Sequence, residues 1–124
     1  MLDFIRIACA VPAVQVGDIE KNVNDICRYI AEADGKHADV IAFPELAVTG
    51  YTCADLFFQD EMLRAEVAGL QRIIDCSAEH PAITVAVGVT ATILGQMYNC
   101  GAVVCNGKLR GLVPKTFIPN YNEF

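Results

Sequence analysis

Two short stretches of this chain set opposite charges at the ends of apolar runs. In Phe43-Pro44-Glu45-Leu46, continuing through Thr49-Gly50-Tyr51, a carboxylate follows Asp39-Val40-Ile41-Ala42. In Val113-Pro114-Lys115-Thr116-Phe117-Ile118-Pro119-Asn120-Tyr121, an ammonium follows Leu112-Val113. Open α/β sheets present their sites at the ends of strands. A carboxylate held there gives up hydration and becomes a better general base. A partly buried lysine needs an anion beside it or it gives up its proton. Glu45 and Lys115 are therefore a candidate catalytic pair, provided that their two strands are neighbours. The plainer readings are a glutamate that caps a loop or pairs with an arginine, and a surface lysine with a buried stem.

Tyr51 and Tyr121 follow Glu45 and Lys115 at equal distances along the chain. Each could line a pocket with a ring face and a hydroxyl, although packing is the commoner duty of such a residue. The nucleophile that a base and a cation would serve is not obvious. Cys53 lies in the Glu45 loop, but a reactive thiol needs a nearby base or positive field, and no basic residue flanks it.

The elements that must position these residues can be read from periodicity. Residues 4–11 read as a mostly buried strand. Asp18 is a plausible N-cap, followed by Ile19, Val23, Ile26 and Ile30 at helical spacing, with Gly35 as a C-cap candidate. Residues 39–43 form a short apolar strand without alternation, as expected where both faces are covered. A loop runs from Pro44 to about Thr52, and residues 55–58 make a helical turn. A longer helix over 60–79 carries Leu63, Val67, Leu70 and Ile74 on one face and is stopped by Pro81. Residues 83–89 and 98–105 are the next strands. Asn106-Gly107 is the strongest hairpin signal and returns the chain as a fifth strand over 108–113. Strand, helix, strand, helix, strand and hairpin make an α/β layout, with helices on one side of a mixed sheet.

Composition narrows the function classes. The 124 residues, 54% hydrophobic and 19% charged, suit one globular domain rather than a disordered segment. A net charge of -6 with scattered Lys and Arg argues against a nucleic-acid surface. No apolar run approaches a membrane span, and Met1-Leu2-Asp3 enters a strand-like pattern without the look of a signal peptide. The expected setting is the cytoplasm. Reduced thiols suit that setting, and the six cysteines show no CxxC spacing. His37 and His80 stand alone, so no zinc and no other cofactor is expected in this chain.

The motifs are specific enough to name a resemblance. Phe43-Pro44-Glu45-Leu46 with Thr49-Gly50-Tyr51, and the lysine stretch, resemble the carbon–nitrogen hydrolases of the nitrilase superfamily. Ala54-Asp55-Leu56-Phe57 and Pro119-Asn120-Tyr121-Asn122-Glu123-Phe124 point within it to the glutaminase domain of the glutamine-dependent NAD+ synthetase branch. Val14-Gln15 and Gly17-Asp18 before the first helix also fit.

The resemblance implies a four-layer αββα sandwich, of which this chain would supply about half, leaving sheet edges and apolar faces open and prone to aggregation. It implies a Glu-Lys-Cys triad that hydrolyses the side-chain amide of glutamine. Glu45 matches the general base, Lys115 the stabiliser of the oxyanion, Tyr121 a glutamine-binding residue and Tyr51 a second pocket residue. The family's nucleophilic cysteine stands beyond the position of Phe124, as do a further glutamate and the synthetase domain, to which ATP and Mg2+ belong. The expectation is thus an N-terminal piece of a larger, homo-oligomeric amidotransferase, inactive by itself. Two other readings remain at this point: a stand-alone amidase or nitrilase-like hydrolase, and a non-catalytic binding or assembly module in which Glu45 and Lys115 form a structural ion pair.

Overall fold

The computed structural model describes residues 4–50 and 60–115. One five-stranded sheet runs in the order β1 (Ile7–Cys9), β2 (Val40–Ala42), β3 (Thr84–Ile93), β4 (Gln96–Cys105) and β5 (Lys108–Pro114). The first three strands are parallel, and the last two continue antiparallel. Helix α1 (Ile19–Gly35) lies between β1 and β2 in the chain, and α2 (Asp60–Ala78) between β2 and β3. The mixed α/β sheet expected from the pattern is the observed one.

Alternation along the strands separates two faces of the sheet. Val85, Val87 and Val89 of β3 with Cys100, Ala102 and Val104 of β4 point toward the helices and are buried. Val23, Ile26 and Ile30 of α1 and Ile73 of α2 are fully buried in the same cluster. Each such side chain contributes on the order of 1.5–3 kcal/mol when taken from water, so this face holds most of the stability. The other face, carrying Ala86, Gly101 and Val113, has no helix packed on it among the described residues, and Val113 is 62% exposed. One helical layer on one sheet is half of an αββα sandwich.

Asp18 caps α1 as expected, its side chain accepting from Lys21 N. Gly35 is the last helical residue but not a left-handed cap. Lys36 is the C-cap, and the left-handed position falls on His37 (φ 61). The hairpin at Asn106-Gly107 is present, with both residues at positive φ (49 and 74) and Cys105 opposite Lys108.

Three expectations need correction. β1 spans three residues rather than 4–11, and its surroundings are exposed: Phe4 87%, Ile5 71%, Ile7 62%. It pairs only with β2 among the described residues, so an apolar run there does not imply cover on both sides. The inward face of α2 is centred on Glu66, Gly69, Ile73 and Ser77; of the four residues expected there Leu70 and Ile74 do pack against the core, whereas Val67 is 71% exposed. At Gly69 the helices approach so closely that a Cβ would stand 2.9 Å from Ile19 Cγ2, so the contact selects a residue that hydropathy does not flag. Finally, β3 and β4 form a hairpin of their own, Ile93 opposite Gln96, around Leu94 and Gly95 (φ 52 and 79). Leu-Gly is a weak turn signal, because a leucine seldom takes positive φ.

Candidate active site

The Glu45 loop is seated by the edge and face of β3. Along the edge of β3 toward β2, Thr84 N donates to Asp39 O, Ala86 O accepts from Phe43 N, and Gly88 O accepts from Val48 N at 3.4 Å. The loop therefore continues the β2 pairing after β2 itself has ended. Leu46 is fully buried and left-handed (φ 51), and Gly50 N closes the turn on Leu46 O at 2.7 Å. Gly88 makes this possible: a Cβ there would lie 2.6 Å from Pro44 O and 2.7 Å from Glu45 C. Glu45 is thus carried over the face opposite the helices.

Lys115 arrives on the same face from β5. Pro114, opposite Cys100, has no N–H and sits on the outer strand, where proline is tolerated. The next rung is restored by Lys115 N donating to Asn99 O at 2.8 Å. This brings Lys115 Nζ to 3.0 Å from Glu45 Oε1. The Asn99 side chain, in a residue only 5% exposed, donates from Nδ2 to Glu45 Oε2 at 3.3 Å. Each carboxylate oxygen so accepts one donor. The pair lines a cleft of about 310 Å³, with Phe43, Gly88, Asn99, Gly101 and Val113 around it.

The two charged residues singled out in the sequence are thus in direct contact, although β2 and β5, which precede them, are not neighbours as expected but lie on either side of β3 and β4. The Glu45 side chain is 48% exposed and that of Lys115 26%, so the carboxylate is less withdrawn from water than its place after a strand implied. Tyr51, Cys53 and Tyr121 lie outside the described residues. Asn99 and Gly88 were not anticipated. Their only sequence signals are a polar residue and a glycine inside apolar strands, which equally suit edges and bulges.

Three of the cysteines among the described residues have thiols withdrawn from water, with pKa values raised rather than lowered as in an activated nucleophile. Cys100 borders the cleft through its backbone, but its thiol packs in the core on the helix side, where burial pushes its pKa up. Cys27 and Cys76 sit between α1 and α2, both pushed up by burial, Cys76 to about 12. No group of three or more His, Cys, Asp or Glu that could hold a metal ion is found among the described residues. No helix among them is long and apolar enough to cross a membrane.

A carboxylate beside an ammonium, within a small cleft on the sheet face, has the chemistry to move a proton next to a developing anion. Residues 6–121 match the carbon-nitrogen hydrolase family, and the chain belongs to that family. Over 125 residues it is 34% identical to the glutamine-dependent NAD(+) synthetase of Xylella fastidiosa (strain Temecula1), a match covering 100% of this chain and 22% of that protein. The crystal structure of a glutamine-dependent NAD(+) synthetase from Cytophaga hutchinsonii superposes with a TM-score of 0.81 at 34% identity, covering 94% of this chain and 20% of that one. An amidase from Nesterenkonia AN1, of the nitrilase superfamily, shares the fold at a TM-score of 0.85 and 18% identity, covering 96% of this chain and 45% of that one. The chain spans about a fifth of the length of the curated relatives it matches.

Proposed function

We propose that this chain is the N-terminal part of the glutaminase domain of a glutamine-dependent NAD+ synthetase. The observation that carries the reading is the 3.0 Å contact between Glu45 and Lys115 in a chain of the carbon–nitrogen hydrolase family. The similarity to NAD(+) synthetases at 34% identity favours glutamine over a simple amide.

In this reading Glu45 takes the proton of a cysteine thiol supplied by the protein beyond residue 124. The thiolate adds to the carboxamide carbon of glutamine, and the resulting oxyanion is held by Lys115. Such a cation in a site closed to water supplies several kcal/mol of transition-state stabilisation. The proton on Glu45 passes to the nitrogen, the C–N bond breaks, and ammonia leaves a thioester behind. Glu45 then draws a proton from water, hydroxide adds to the thioester, and collapse releases glutamate while the proton returns to sulfur. Tyr121 and Tyr51 would line the glutamine pocket.

Ammonia would be used by a synthetase domain of the same protein to amidate nicotinic acid adenine dinucleotide. That reaction uses ATP and Mg2+. Among the described residues no group of three or more His, Cys, Asp or Glu could hold the metal. The parent would be cytoplasmic and homo-oligomeric.

The test is ammonia release from glutamine by the full-length protein, with Glu45→Gln and Lys115→Met alongside. Glutamine-dependent release lost in both variants is expected. A full-length protein that releases no ammonia from glutamine overturns the reading. Residues 1–124 alone should show no turnover, and turnover abolished by Cys53→Ala would relocate the nucleophile.

A further inference from the structure

We propose that Asn99 is the positioning residue that holds Glu45 and Lys115 in register for the reaction. The proposal rests on the function given above and names a residue acting through the two charged groups.

Two independent bonds from one residue support it. The Asn99 main-chain carbonyl accepts from Lys115 N at 2.8 Å and so sets where the lysine leaves β5. Its side-chain amide donates to Glu45 Oε2 at 3.3 Å and so sets the plane of the carboxylate, leaving Oε1 to Lys115 Nζ at 3.0 Å. Only the NH2 end of the amide can face a carboxylate, because the carbonyl end would set oxygen against oxygen.

Asn99 itself has little freedom. It is 5% exposed and lies in the middle of the sheet, opposite Thr90 on β3. Thr90 is held in turn from α2, where Glu66 accepts from its N–H at 3.2 Å and from its hydroxyl. The base sits on a loop and the cation just past an outer strand, and Asn99 is bonded to both. Asn99 ties both to β4, which pairs with β3 over ten positions. A half-exposed ion pair without such a tie would sample many separations, and a displacement of about 1 Å can lower a rate by about 100-fold.

The experiment is steady-state glutamine hydrolysis by the full-length protein carrying Asn99→Leu, Asn99→Ser or Asn99→Asp. Asn99→Leu should lower kcat by about 100-fold with KM within about threefold. Asn99→Ser keeps a donor and should recover part of the loss. In Asn99→Asp the new carboxylate repels Glu45 at neutral pH but donates once protonated, so its activity relative to wild type should rise as pH falls. A purely structural asparagine would give neither the kcat–KM split nor this acid recovery. A kcat for Asn99→Leu within about threefold of wild type overturns the proposal.

Should Asn99→Leu fail to fold, the comparison of Asn99→Ser with Asn99→Asp decides by the same acid recovery, and its absence counts against the proposal. Should the wild-type protein release no ammonia, the proposed function fails, and the crystal structure of Asn99→Ser or Asn99→Leu then decides on Asn99 alone. A Glu45 carboxylate moved out of contact with Lys115 supports the positioning role. A contact kept at 3.0 Å overturns it.

Discussion

Gly88 and Leu46 meet across a space that admits no side chain: a Cβ on Gly88 would lie 2.3 Å from the backbone nitrogen of Leu46. The loop that carries Glu45 rests directly on the backbone of β3, and its height above the sheet is set by the absence of one methyl group.

Gly88→Ala should therefore lift the Glu45 loop off β3. The obstructing atoms are backbone, which cannot swing aside as a flexible side chain would. Loss of about 1–3 kcal/mol of stability is expected from overpacking, together with a fall of about 100-fold in kcat as Glu45 leaves Lys115. Urea unfolding and ammonia release by the full-length protein measure the two. Unchanged activity would mean that the base is not seated by this contact.

The Glu45–Lys115 pair should matter to rate far more than to stability. With side chains 48% and 26% exposed, the ion pair contributes about 0–1 kcal/mol to folding. Glu45→Gln or Lys115→Met should each lower kcat by about 100- to 1000-fold. A double-mutant cycle in urea gives the coupling. A coupling above about 3 kcal/mol, with activity retained, would make the pair a structural bridge instead.

Glu66 gives the fold a pH dependence. Burial raises its pKa above the ordinary 4.5, and the two bonds from Thr90 lower it only in part. The folded protein then holds this proton more tightly than the unfolded chain does. The stability it contributes is fully present below pH 4.5 and is lost as pH rises through the folded-state value. Glu66→Gln keeps the shape and cannot ionise: its oxygen takes the Thr90 N–H and its NH2 reaches the hydroxyl. The melting temperature of the variant should gain on wild type as pH is raised from 4 toward 7, by about 2–8 °C for each 1 kcal/mol of lost ionisation penalty. Parallel melting curves across that range would refute the assignment.

Thiol reactivity should be strongly graded. Cys76, pushed to about 12 from 9.0, carries about a thousandfold less thiolate than an unperturbed thiol near pH 8. Cys9 is exposed on β1. Iodoacetamide labelling of the native protein followed by mass spectrometry should modify Cys9 well before Cys76. Equal rates would show that α1 and α2 separate readily at the Cys27–Cys76 contact.

The sequence by itself determined which residues enter the core through α1, where the Asn106-Gly107 hairpin turns, and which two charged residues end apolar strands. These are local matters: Val23, Ile26 and Ile30 repeat at the helical period, and Asn-Gly takes positive φ with little strain. Glu45 and Lys115 were legible because their motifs surround them in the chain. Tertiary structure alone decided that they touch, since that depends on β3 and β4 bridging strands remote in sequence. It also decided the inward face of α2, where close approach chose Gly69, and the free edge of β3 chose Glu66, over the hydrophobic Val67. Asn99 belongs to the same class. Nothing near it in the chain indicates a polar role, which arises only because one strand offers its carbonyl to Lys115 and its side chain to Glu45. Local preference acts within a few residues, whereas a site assembled across a sheet depends on register, and register is fixed only when the core closes.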